Sequence, residues 1–223
     1  MYLLALLVGS AVYYTRLLNN TAAAQPAQAD GVAWLRNWPK PLFSLFLYEI
    51  LAKKRVPYAI TKVASLASIA LLFSVFPDSH SDLRLLGIIG LCSALTHVVL
   101  LYQASEFELF YLRFVRNFPY TSWQLYGQQA ALYSVLLLPE ISWFLLVGDF
   151  RQGLLGAALL LSVTLFFRAL LYWLGHRLTG YLRVVFGLFL VFLFTTLFGF
   201  TELLIISNVI AAGVLFYRYQ YKD

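Results

Sequence analysis

Six apolar stretches, at residues 56–76, 83–103, 124–147, 153–174, 184–200 and 203–217, fill most of the chain beyond residue 55. At ~1.5 Å per residue the longer ones match the ~30 Å hydrocarbon core of a bilayer. A segment in lipid must satisfy its own backbone N–H and C=O groups, so such stretches form helices. Composition agrees, with 61% hydrophobic and 12% charged residues. That is more apolar surface than a soluble domain of this length can hide. The expected fold is an all-α polytopic transmembrane helix bundle of about six to seven spans. Residues 184–217 are the least regular part. As one helix they would reach ~51 Å, so Phe200-Thr201-Glu202 is expected to mark a hairpin of two short, tilted or incomplete helices.

Residues 1–18 are apolar, but Arg16 follows the apolar run instead of preceding it. They read as a first membrane helix and not as a signal peptide. The chain starts inside that helix, so a missing upstream part is expected. Residues 19–40 form a polar connection, with Trp34 and Trp38 suited to the headgroup level. Residues 1–40 are therefore set apart from a transmembrane domain at 41–223. Within that domain, Pro41 to Ala52 covers only ~18 Å and cannot span. The basic run Lys53-Lys54-Arg55 closes it, and a helix lying in the interface fits.

Orientation follows from the basic residues. Twelve Lys and Arg fall in alternate connections, among them Arg113, Arg116, Arg177, Arg183 and Arg218, whereas only Arg84 and Arg151 fall in the others. Excess cations mark the cytoplasmic side. Residues 104–123, 175–183 and the C-terminus are thus expected in the cytoplasm, and the N-terminus and the Asp78–Asp82 turn outside. The net charge of +6 contains no basic run long enough to track a phosphate backbone, so nucleic acid is not an expected partner.

Ala104–Tyr126 is the only long connection that combines charge, aromatics and a break. At ~100° per residue, Glu106, Arg113 and Arg116 share one side of a helix. Phe107, Tyr111, Phe114 and Val115 share the other, where Glu108 interrupts the apolar pattern. The helix is expected to stop at Asn117-Phe118-Pro119, because a residue before proline avoids the α region. Thr121-x-x-Gln124 then has the spacing of a capping box, which starts the next span.

Four ionisable side chains fall inside spans: Lys62, His97, Glu140 and Arg168. Such groups are the usual functional suspects in a membrane. By helix rise Lys62 and Arg168 lie ~10 Å from the cytoplasmic end, within snorkelling reach of water. Glu140 lies ~10 Å from the outer end, directly after Pro139, which favours a kink and frees the Val135 carbonyl. A Glu140–Arg168 pair fails on depth. Glu140 is expected to be neutral, wet or bonded to hydroxyls and amides, either lining a substrate path or serving structurally.

Catalytic constellations are missing from the pattern. The chain has no Gly-rich phosphate loop, nucleophile elbow or H-E-x-x-H. Its three histidines, His80, His97 and His176, fall at different depths and cannot gather a zinc ion. The single Cys92 excludes an internal disulfide. No cofactor, metal or catalytic role is expected, so the chain does not read as an enzyme.

The order of elements over residues 41–223 resembles the membrane subunit of ABC-2-type exporters. A basic interfacial helix at 41–55 precedes a span and a hairpin back, then a charged helix broken by Asn-Phe-Pro-Tyr-Thr and four further apolar segments. The resemblance implies an elbow helix at 41–55 and a coupling helix at Glu106–Ser122. Glu106, Glu108, Arg113, Arg116, Asn117 and Pro119 would then contact a separate nucleotide-binding ATPase subunit. It implies a homo- or heterodimer of permease subunits in the plasma membrane, moving a substrate past Glu140 by alternating access. Two features depart from the family pattern: the extra helix at 1–18, and a Phe200–Glu202 turn too short for re-entrant helices. The alternative reading is an integral-membrane scaffold or enzyme of lipid or envelope biogenesis.

Overall fold

The computed structural model describes residues 42–52, 54–76, 82–111, 120–147, 149–175 and 177–219. The expected helix at 1–18 and the connection at 19–40 lie outside them. Among the described residues all regular structure is helical: α1 (Leu42–Ala52), α2 (Arg55–Val75), α3 (Leu83–Thr96), α4 (Val98–Tyr111), α5 (Ser122–Leu136), α6 (Leu138–Val147), α7 (Phe150–Leu174), α8 (Leu178–Leu197) and α9 (Thr201–Tyr219). Four of these, α2, α7, α8 and α9, are each long and apolar enough to cross a bilayer. The pairs α3–α4 and α5–α6 each suffice when taken as one bent span, which brings the total to as many as six.

The fold is built around α7. Its sequence is apolar on every side, as a helix wrapped by others must be, and it packs against α3, α4, α5, α6, α8 and α9. Close approach comes from glycine. A Cβ on Gly153 would lie 2.4 Å from the Phe144 carbonyl oxygen, and one on Gly156 would lie 3.0 Å from the Phe144 ring. The outer helices bury single stripes. On α9 the stripe is Thr201, Leu204, Asn208, Ala212 and Phe216, at spacings of three and four. The apolar remainder of α2, α8 and α9 is exposed, as lipid-facing surface should be.

Local chemistry explains the helix ends. Thr121 and Gln124 form the expected reciprocal capping box at the start of α5. Between α8 and α9, Gly199 at φ 83° takes the left-handed conformation. Its N–H bonds Thr196 O and the Phe200 N–H bonds Thr195 O, the two bonds that end a helix in a Schellman turn. Residues 184–217 are therefore not two short or incomplete helices. They belong to helices of 20 and 19 residues. The sequence reading began α8 too late, because Gly180 and Arg183 interrupt the apolar run while the backbone continues through them.

Two further expectations need correcting or completing. Residues 104–111 do not begin a separate amphipathic helix; they continue α4 from Val98. The break comes earlier, at His97, with a bend of 45°. The kink expected at Pro139 is present as a 64° bend between α5 and α6. Proline has no N–H to continue the ladder, so α5 stops at Leu136 and Pro139 sits in the first turn of α6.

α1, at 11 residues, is too short to span. It packs against α5 and α2, burying Phe46 and Ile50, with the Phe46 and Phe107 rings 5.4 Å apart. At one end of the bundle Arg84 reaches Gly199, and Arg151 lies 4.0 Å from Glu202. The described ends of three turns, after α2, α6 and α8, thus meet at that end, as alternating spans require. The Arg151–Glu202 pair is solvent-exposed and contributes ~0–1 kcal/mol.

Candidate functional site

Two clusters of buried charge mark the interior. The first lies where both helix breaks meet. Lys62, on the buried stripe of α2, donates to both carboxylate oxygens of Glu140 at 2.9 and 2.7 Å. It also donates to the Leu136 carbonyl, left open where α5 ends. A cation at a helix C-terminus is favoured because the last carbonyls lack intrahelical donors. The Lys62 ammonium thus replaces backbone donors at the break and neutralises the carboxylate one turn on. His97 occupies the other break. Its Nδ1 lies 2.8 Å from Ser93 O and its Nε2 lies 3.6 Å from Glu140 Oε1. All three side chains are buried.

Two expectations from the sequence change here. Lys62 does not snorkel to water; its ammonium turns to Glu140. Nor does Glu140 rely on hydroxyls and amides. Counting depth at straight-helix rise placed Lys62 and Glu140 about 10 Å apart along the membrane normal. The 64° bend shortens that offset by roughly 2–3 Å, and the long Lys62 side chain, aimed along the bundle, covers the rest. Beyond the break, α6 advances only roughly 0.7 Å per residue along the axis of α5, and Glu140 stays near Leu136.

The second cluster ties α4, α5 and α7 together. Arg168 donates to Glu108, and its guanidinium lies 4.6 Å over the Tyr172 ring. The Tyr172 hydroxyl donates to Glu108 at 2.9 Å, and Gln129 Nε2 donates to Glu108 at 3.1 Å. The Glu108 carboxylate therefore receives donors from two other helices. Arg168 is only 2% exposed and Glu108 31%. So Arg168 does not snorkel either. As its depth implied, it does not pair with Glu140; each has another partner.

Of the residues expected to meet a partner, Glu108 turns into the bundle. Its interruption of the apolar face was the signal, because a carboxylate on that side must find a buried donor. Glu106 is half-buried and interacts with Tyr102 one turn earlier. Arg113, Arg116, Asn117 and Pro119 lie outside the described residues. The sequence reading missed Gln129 and Tyr172 as members of a cluster. The four-residue spacing of Arg168 and Tyr172, one helical turn, was the available hint. Among the described residues, no group of three or more His, Cys, Asp or Glu is placed to hold a metal ion. Comparison with protein-family models, curated proteins and solved structures found no match.

Proposed function

We propose that this chain is the membrane-spanning permease subunit of an ATP-driven exporter, working in the plasma membrane with a separate nucleotide-binding ATPase. The observation that carries the reading is the Glu108 cluster. The charged segment 106–122 begins on α4, and Glu108 fastens that end of α4 to Arg168 and Tyr172 on α7 and to Gln129 on α5. A force applied to the segment therefore reaches the central helix directly. That is the mechanical requirement for a lever between an ATPase and a membrane path. In this reading Glu106, Arg113, Arg116, Asn117 and Pro119 meet the ATPase, while Glu108 passes the movement inward.

The mechanism is alternating access. Closure of the ATPase displaces the 106–122 segment, α4 and α7 shift together, and the bends at His97 and Leu137 supply places where spans can change angle. The C-terminus lies in the cytoplasm, and two permease subunits, identical or different, form the path.

Co-purification with a candidate ATPase tests the proposal. Removing one partner of a desolvated interfacial charge pair costs ~2–5 kcal/mol of binding, whereas a charge that only meets water contributes ~0–1 kcal/mol. Arg113→Ala and Arg116→Ala should weaken association or uncouple ATP hydrolysis, with Arg177→Ala nearly silent. If all three behave like the parent, or no ATPase associates, the exporter reading fails and the scaffold or enzyme alternative takes its place.

A further inference from the structure

We propose that the gap between His97 Nε2 and Glu140 Oε1 is a proton-binding site, buried where the two bent spans meet. Ser93 O is a carbonyl and can only accept, so His97 Nδ1, 2.8 Å away, carries the ring hydrogen. The Thr96 hydroxyl spends its hydrogen on Ser93 O at 2.7 Å and turns a lone pair to the same Nδ1. In the neutral ring Nε2 is then a bare lone pair. It faces Glu140 Oε1 at 3.6 Å and has no hydrogen-bond partner, although the side chain is only 2% exposed. Two acceptors aimed at each other in a dry interior repel. One proton between them replaces that repulsion with a charge-assisted hydrogen bond.

The step balances simply. A hydronium ion from the aqueous phase gives up a proton and is left as water, so one O–H bond breaks, one N–H bond forms at Nε2, and the net charge of the cluster rises by one. The charged groups that act on His97 are Lys62 from α2, which together with burial opposes the added proton, and Glu140 from α6, which attracts it. On α7, the charged side chains Arg151 and Arg168 pair with Glu202 and Glu108. The hydroxyls of Ser93, one turn before His97 on α3, and of Ser65, one turn beyond Lys62 on α2, are buried and unpartnered.

Proton uptake acts on the bend. Glu140 must then serve two cations, and its hold on Lys62 is shared with the imidazolium. Lys62 also closes the open Leu136 carbonyl, so a looser Lys62 loosens the α5–α6 junction. The site needs no ATPase, and its test is independent of the exporter reading.

The experiment uses His80→Gln/His176→Gln protein, in which His97 is the only histidine of the original three. The ring is labelled with nitrogen-15, and the protein is placed in phosphatidylcholine nanodiscs and followed by NMR from about pH 9 to about pH 4. At high pH the spectrum should show hydrogen on Nδ1 and a bare Nε2, and lowering the pH should convert Nε2 to its protonated form. Hydrogen on Nε2 at high pH, or an unchanged ring across the range, overturns the proposal. With Glu140→Gln added, the amide N–H can satisfy Nε2 and the ring should stay neutral throughout. A titration identical to the parent's removes Glu140 from the site. Should Glu140→Gln not fold, backbone hydrogen exchange of the unsubstituted chain supplies the second readout. Amides at Leu137 and Ile141 should exchange faster at the acid limit, and equal rates after correction for intrinsic exchange refute the link to the bend.

Discussion

Removing Glu108 should cost more than removing Arg168, although they are partners in one ion pair. The asymmetry follows from exposure: the Arg168 side chain is 2% exposed and that of Glu108 31%. Glu108→Leu strands a guanidinium that cannot shed its proton, leaving the Tyr172 ring and hydroxyl and the Tyr133 hydroxyl beside it but no counter-charge. Breaking a buried pair in this way costs about 3–5 kcal/mol. Arg168→Met keeps most of the apolar stem. The carboxylate left behind retains Tyr172 and Gln129 and can turn to water, so about 1–3 kcal/mol is expected. For a chain of this size 1 kcal/mol moves the midpoint by about 2–4 °C. Glu108→Leu should therefore lower Tm by about 6–20 °C, and Arg168→Met by about 2–12 °C. The assay is thermal unfolding in a single detergent, with the double variant included. Because the double variant has no stranded charge, it should be more stable than Glu108→Leu alone. An equal or larger loss for Arg168→Met, or strict additivity in the double variant, would refute the reasoning.

Helix contact at α7 gives a second prediction. Gly153→Ala puts a methyl 2.4 Å from the Phe144 carbonyl oxygen, a backbone atom that cannot swing away. A loss of about 1–3 kcal/mol is expected, while Gly127→Ala, with nothing within 4 Å, should be neutral or stabilising by up to ~1 kcal/mol. Tyr172→Phe removes the hydroxyl shared by Glu108, Gln129 and Arg168 and should cost about 1.5–3 kcal/mol in the same thermal assay. Topology is checked by labelling introduced cysteines from outside the cell: Ser79→Cys should react and Tyr219→Cys should not, and the reverse pattern would invert the assignment from basic residues.

Much of the helical framework was legible because its causes are local. Run length and apolarity decide that residues 55–75 and 150–174 are helices, since lipid leaves the backbone no partner outside its own segment. Pro139 told of a break, because a missing N–H interrupts the ladder wherever the helix sits. Thr121 and Gln124 told of a start for the same reason, as both capping bonds stay within four residues. The break at His97 carried no such mark. No proline stands there, and it became visible only with α3 and α4 in place around α7.

Charge pairing could not be read locally. Lys62 and Glu140 are 78 residues apart, and Arg168 and Glu108 are 60 apart. A hydropathy pattern shows which side chains are buried but not which helix each one faces. Depth counted along straight helices kept Lys62 and Glu140 apart. A 64° bend in one span and the reach of the Lys62 side chain brought them together. By itself the sequence determined a membrane bundle with a proline-broken span and a charged connection. Tertiary packing alone decided which charges neutralise each other, because an ion pair in a dry interior depends on the distance between helices and not on position along either one.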